Sequence, residues 1–88
     1  MNFPTHVMRR HANYAVKLYE PNDRQITFVY ELLGTLKHWF YMKEEEYQHE
    51  FCLLTTYDKI VLAKSIKKIE EYLEVYWDKE RFQRLGLI

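Results

Sequence analysis

The residues best suited to hold a metal ion are four histidines and a single cysteine, of which His49 and Cys52 stand in an H-x-x-C spacing. Structural zinc sites usually take four ligands from paired short spacings, and the sequence has no second pair of this kind. On a strand, residues three apart also point to opposite faces. We therefore expect neither a metal site nor a cofactor.

Nucleophilic catalysis has equally little support. Cys52 lies in an apolar run, which favours a buried, protonated thiol. Ser65 is the only serine and has no G-x-S-x-G surrounding it. With two glycines in the chain, no Gly-rich turn is available for an oxyanion site or a phosphate cradle. The sequence predicts a protein that is not an enzyme.

The carboxylates are numerous, but their pattern is that of a solvated surface. Glu70, Glu74 and Asp78 recur at every fourth residue, on the polar side of a predicted helix, and the acidic run 44–46 suits a loop. General acid–base chemistry would need a carboxyl group in an apolar or like-charged pocket. We interpret both groups as surface charges.

The basic residues are clustered even though thirteen Lys and Arg balance thirteen Asp and Glu. The first 19 residues contain basic but no acidic side chains, and lysines are concentrated in the first half of the C-terminal helix. Such patches interleaved with aromatic residues are typical of nucleic-acid binding. The residues of this alternative site are Arg9, Arg10, Lys64, Lys67 and Lys68.

Aromatic residues make up 17% of the chain, more than one small core readily encloses. Tyr and Trp are the side chains that most often anchor protein interfaces, and small domains gain stability by associating. We expect an interface with a second copy of the chain and with another protein. The predicted interface residues are Tyr41, Tyr47, Tyr57, Tyr72, Tyr76 and Trp77.

The length of 88 residues predicts a single domain over 1–88. One cysteine fits a reducing cytoplasm, and the sequence shows neither a signal peptide nor an apolar run long enough to cross a membrane. Abundant Phe, Tyr, Ile, Asn and Lys suggest an AT-rich coding sequence, as in phages, mobile elements and low-GC bacteria.

The clearest element is a helix over residues 56–85. Leu62, Ile66, Ile69, Leu73 and Tyr76 form one helical stripe. Thr55 and Asp58 suit a capping box, Arg81 and Arg84 suit the last turn, and Gly86 suits a left-handed end. At about 1.5 Å per residue this helix would overhang a domain of this size, leaving a surface for a partner.

Residues 1–12 are predicted to form an arm, in which Pro4 could open a turn of helix, and residues 13–55 antiparallel strands. The segments 14–18 and 26–32 alternate in polarity and flank turn residues at 21–23. The alternative is a helix that begins at Asn22, with Gln25 in its capping box and Val29, Leu33, Leu36 and Phe40 as its stripe. Period alone does not decide between them over residues 22–42.

The preferred fold is therefore α+β, with an antiparallel sheet of three to four strands packed against one long C-terminal helix. The alternative is an all-α, three-helix domain. The preferred function is a small protein-binding regulator or inhibitor that forms a homodimer. The alternative is a small nucleic-acid-binding module that uses the basic N-terminal arm and the lysine-rich half of the helix.

Overall fold

A computed structural model of the chain describes residues 4–41 and 54–88, and within these ranges the regular structure is helical. The helices are α1 (Thr5–Ala15), α2 (Asp23–Tyr41), α3 (Thr56–Val75) and α4 (Lys79–Arg84). Helix α3 packs against both α1 and α2, which also contact each other. The α+β fold and the predicted sheet are wrong, and the all-α alternative fits the described residues.

Helix α2 occupies the segment 26–32 that was predicted as the second strand. Its first turn is a reciprocal capping box: the Gln25 N–H donates to Asn22 Oδ1 at 2.8 Å, and the Asn22 N–H donates to Gln25 Oε1 at 2.9 Å. Its buried residues are Ile26, Val29, Leu32 and Leu36. The helical period thus places a full apolar stripe in the core, and this burial overrides the strand preference of the β-branched and aromatic residues.

Helix α1 replaces the predicted arm and first strand. It begins after Pro4, as the sequence suggested, and buries Thr5, Ala12 and Ala15. The alternating residues Tyr14, Val16 and Leu18 straddle the end of this helix and the connection that follows, so their alternation is not that of a strand. The two small alanines allow α1 to approach the rest of the core closely.

Helix α3 confirms the predicted capping box. The Asp58 N–H donates to Thr55 Oγ1 at 3.1 Å, and the Thr55 N–H donates to Asp58 Oδ2 at 2.9 Å. The Thr5 hydroxyl also donates to Asp58, which ties the start of α1 to the start of α3. The stripe from Leu62 to Leu73 is buried, as predicted.

The single long helix predicted over 56–85 is wrong. Helix α3 ends at Val75, and Asp78 then caps α4 by accepting a hydrogen bond from the Arg81 N–H. Twenty residues of α3 span about 30 Å, so the expected overhang is absent. Because the helix breaks here, Phe82 of α4 reaches the core, where it is fully buried. Gly86 has the predicted positive φ, 75°.

Predictions for residues 42–53 lie outside the described residues. They include the acidic run 44–46, Tyr47, His49 and Cys52. Among the helices of the described ranges, none combines the length and the apolar character required to cross a bilayer.

Candidate functional site

Helix α4 is held against the start of α2 by a branched ion pair. Arg81 Nε donates to Asp23 Oδ1 at 2.8 Å, and Arg84 Nη1 donates to Asp23 Oδ2 at 3.1 Å. Arg81 Nη2 also donates to the carbonyl oxygen of Pro21 at 2.6 Å. Hydrogen bonds from Arg84 and Arg81 lower the pKa of the Asp23 carboxyl group. This contact fixes where α4 presents its apolar side chain.

That side chain is Phe82, which lies between two aromatic rings. The Tyr30 ring stands edge-on to it with centroids 5.8 Å apart, and the Trp77 ring does so at 4.8 Å. Phe82 is fully buried, whereas Trp77 remains 53% exposed. The exposed Trp77 therefore packs against the buried ring that α4 contributes to the core.

An apolar cleft of about 430 Å³ opens between α2 and α3 at this point. Tyr30 and Leu33 line it from α2, Leu73 lines it from α3, and Trp77 lines it from the connection between α3 and α4. Glu70 and Glu74 also line it from α3. We call this feature the α2–α3 cleft. Aromatic and aliphatic walls beside a few charged groups are typical of protein-binding surfaces.

The two glutamates of the cleft differ in their partners. Glu70 pairs with Lys37 of α2 at 3.5 Å. Glu74 forms no ion pair with a cation of the described residues.

The predicted interface residues fall into different places. Trp77 lines the α2–α3 cleft, Tyr41 is 72% exposed at the end of α2, and Tyr57 is 53% exposed in the first turn of α3. Tyr72 is buried and Tyr76 is half-buried, so the expectation of exposure fails for Tyr72.

Tyr72 and Tyr76 hold the connection between α1 and α2. The Tyr72 hydroxyl donates to the Leu18 carbonyl at 2.8 Å, and the Tyr76 hydroxyl accepts from the Glu20 N–H at 3.4 Å. Burial raises the pKa of the Tyr72 hydroxyl. These tyrosines serve the fold because the connection has backbone groups that need partners.

A second depression, of about 280 Å³, lies between α1 and α3. Three of the predicted nucleic-acid residues, Arg9, Lys64 and Lys68, line it together. The other two, Arg10 and Lys67, are exposed but lie outside its lining. We call this feature the α1–α3 groove. It unites two basic segments that are 55 or more positions apart in the sequence.

Within residues 4–41 and 54–88, no three His, Cys, Asp or Glu side chains are grouped so that they could hold a metal ion. The buried carboxylate Asp58 is occupied by hydrogen bonds. Desolvation acts to raise its pKa, but the hydrogen bonds from Thr5 and Thr55 outweigh this effect, so that its pKa is lowered.

Most of the α2–α3 cleft is not apparent from the sequence pattern. The pattern favours a strand at Tyr30 and indicates only stripe positions of separate helices for Leu33 and Leu73. The sequence feature that indicates this cleft is Asp78, because aspartate is a preferred N-cap. A new helix that begins after Asp78 brings Phe82 against Tyr30. No family model matches the chain, and neither the curated proteins nor the solved structures include a significant match.

Proposed function

We propose that this protein is a small non-enzymatic binding module, and that its α2–α3 cleft receives an amphipathic helix of another protein. The observation that carries the proposal is the exposed Trp77, which lines an apolar cleft and packs against the buried Phe82. An apolar groove between two packed helices can bind a third helix, which inserts side chains spaced at i, i+3, i+4 and i+7.

Charge complementarity specifies the partner further. Glu74 lies in the cleft without an ion pair among the described residues, so a Lys or Arg beside the apolar stripe of the partner would complement it. A symmetric contact between two copies through this cleft would instead bring the same acidic wall onto itself. The charge pattern therefore favours a different protein over a second copy.

The test is site-specific photo-crosslinking in the native host. A photoreactive phenylalanine derivative replaces Trp77 in one variant and Tyr19 in the control, since Tyr19 is also exposed but lies in the connection between α1 and α2. Mass spectrometry then identifies the crosslinked segment. We expect a product specific to position 77, within a helix that has an apolar stripe and an adjacent Lys or Arg.

A charge-reversal pair shows whether the cleft itself makes the contact. Glu74→Lys should reduce the yield of this product about tenfold or more, because it places a cation opposite the partner's cation. Glu31→Lys makes the same change on the exposed side of α2, outside the cleft, and should leave the yield unchanged.

Several outcomes would contradict the proposal. They are crosslinking of position 77 only to a second copy or to nucleic acid, the absence of a product above that of position 19, and equal effects of the two charge reversals.

A further inference from the structure

The α1–α3 groove has a chemistry different from that of the α2–α3 cleft. Its cations are Arg9, Lys64 and Lys68, and its other lining residues are Tyr57, Ile60, Val61 and Ser65. No carboxylate belongs to this lining. A ligand in the groove therefore meets three cations together with an exposed aromatic ring and an exposed aliphatic side chain.

Arg9 is held in position by partners that are not carboxylates. Its Nη1 donates to the Tyr57 hydroxyl oxygen at 3.2 Å, and its Nη2 lies 3.2 Å from His6 Nδ1. These contacts orient the guanidinium group without neutralising its charge. The remaining N–H groups can still donate to an anion, for which the planar guanidinium is well suited.

The two lysines extend the positive charge along α3. Lys64 and Lys68 are one helical turn apart, about 6 Å along the axis. Lys68 Nζ donates to Asn13 Oδ1 of α1 at 3.4 Å, again a partner that is not a carboxylate. Across the described parts of the chain, no carboxylate forms an ion pair with Arg9, Lys64 or Lys68.

We infer that the α1–α3 groove binds single-stranded nucleic acid, with its cations on successive phosphates and Tyr57 against a base. A single strand offers both features that the groove can use, a chain of anions and accessible base faces. In a duplex the base faces are stacked inside the double helix, where the Tyr57 ring does not reach them. This site is distinct from the α2–α3 cleft, so the inference does not depend on the proposed function.

Salt dependence gives the first measurement. Three phosphate contacts on a single strand predict that log K falls against log salt concentration with a slope of about −2. The probe is a fluorescein-labelled oligothymidylate of 15 nucleotides, with the corresponding oligouridylate as a second probe, and binding is followed by fluorescence anisotropy with the full chain.

Matched charge variants locate the site. Lys64→Gln with Lys68→Gln should weaken binding about tenfold or more at low salt and bring the slope to about −1. Lys67→Gln with Lys79→Gln removes the same charge from exposed positions outside the groove and should change affinity less than threefold. Circular dichroism confirms that both double variants retain the helical fold.

A substitution at Tyr57 tests stacking separately from charge. Tyr57→Leu should weaken binding about fivefold or more without changing the salt slope, whereas Tyr57→Trp should preserve binding because it keeps an aromatic face.

Four results would overturn the inference. They are equal losses in the two lysine pairs, unchanged binding by Tyr57→Leu, no oligonucleotide binding at low salt, and binding to vesicles of phosphatidylserine and phosphatidylcholine in place of the oligonucleotide. None of these four results changes what we expect from crosslinking at position 77, because that experiment tests the α2–α3 cleft.

Discussion

Arg81 of α4 and Asp23 of α2 are joined across 58 positions of sequence by a hydrogen-bonded ion pair with an Nε–Oδ1 distance of 2.8 Å. The same guanidinium group donates to the Pro21 carbonyl, so it binds both the first residue of α2 and the connection before it. This double contact places α4 where Phe82 completes the core. The ion pair lies outside the candidate cleft, whose lining residue Trp77 packs against Phe82.

This ion pair and the Asp58 hydrogen bonds predict a loss of stability in acid. Both carboxyl groups have a lowered pKa in the folded chain. A carboxylate of this kind stabilises the fold above its unfolded pKa, near 4, and the contribution is lost as the pH falls through the lower, folded pKa. We therefore expect the free energy of unfolding to decrease from about pH 4 downwards, as measured by urea titrations between pH 6 and pH 2.5.

Asn variants assign this acid dependence to its groups. Asp23→Asn and Asp58→Asn should each be less stable than the wild type at pH 6 and should each lose stability less steeply below pH 4. Glu31→Gln removes an exposed carboxylate and should keep the wild-type slope. An unchanged slope in both Asp variants would show that neither group is stabilised as the structure indicates.

Phe82 provides a test of how far the cleft depends on α4. Phe82→Ala removes a fully buried ring that contacts both Tyr30 and Trp77, and we expect a loss of about 3–5 kcal/mol in the free energy of unfolding. Phe82→Leu keeps much of the apolar volume and should cost less. Val75→Ala, at an exposed position, should cost little.

Trp77 fluorescence follows the local effect of the same substitution in a Trp39→Phe background. If α4 positions Trp77, the Phe82→Leu variant should remain folded by circular dichroism while the Trp77 emission shifts to the red, as its ring loses an apolar neighbour. An unshifted emission in that variant would contradict the dependence of Trp77 on Phe82.

The apolar residues of α2 fit both the period of a strand and the period of a helix. In α2 the residues Ile26, Phe28 and Tyr30 alternate as a strand would, but Ile26 and Val29 belong equally well to a helical stripe. The structure buries Ile26 and Val29 completely and leaves Phe28 beside the exposed Tyr14. The capping residues Asn22 and Gln25 are the local signal that distinguishes the helix from the strand.

The predictions that held rest on local backbone chemistry. The Thr55–Asp58 capping box, the buried stripe of α3 and the positive φ of Gly86 all depend on residues within a few positions of one another. The candidate sites, by contrast, combine residues that are far apart in the sequence. Joining Arg9 to Lys64, or Leu33 to Trp77, requires knowing how the helices pack, and a helical stripe does not specify its partner. The same limit explains why Tyr72 was predicted as a surface anchor.

Tyr72→Phe tests the role that the structure gives this residue. The substitution removes the hydroxyl group that donates to the Leu18 carbonyl and leaves the ring in the core. Since a part-buried carbonyl then lacks its partner, we expect a loss of about 1 kcal/mol in the free energy of unfolding, measured by urea titration. Tyr19→Phe removes a hydroxyl from a side chain that is largely exposed and should be neutral. Hydrogen exchange at the backbone of residues 16–22 should increase in Tyr72→Phe alone, because the hydroxyl holds this connection against α3. Equal stabilities of the two variants, with no change in exchange, would mean that Tyr72 contributes only its ring.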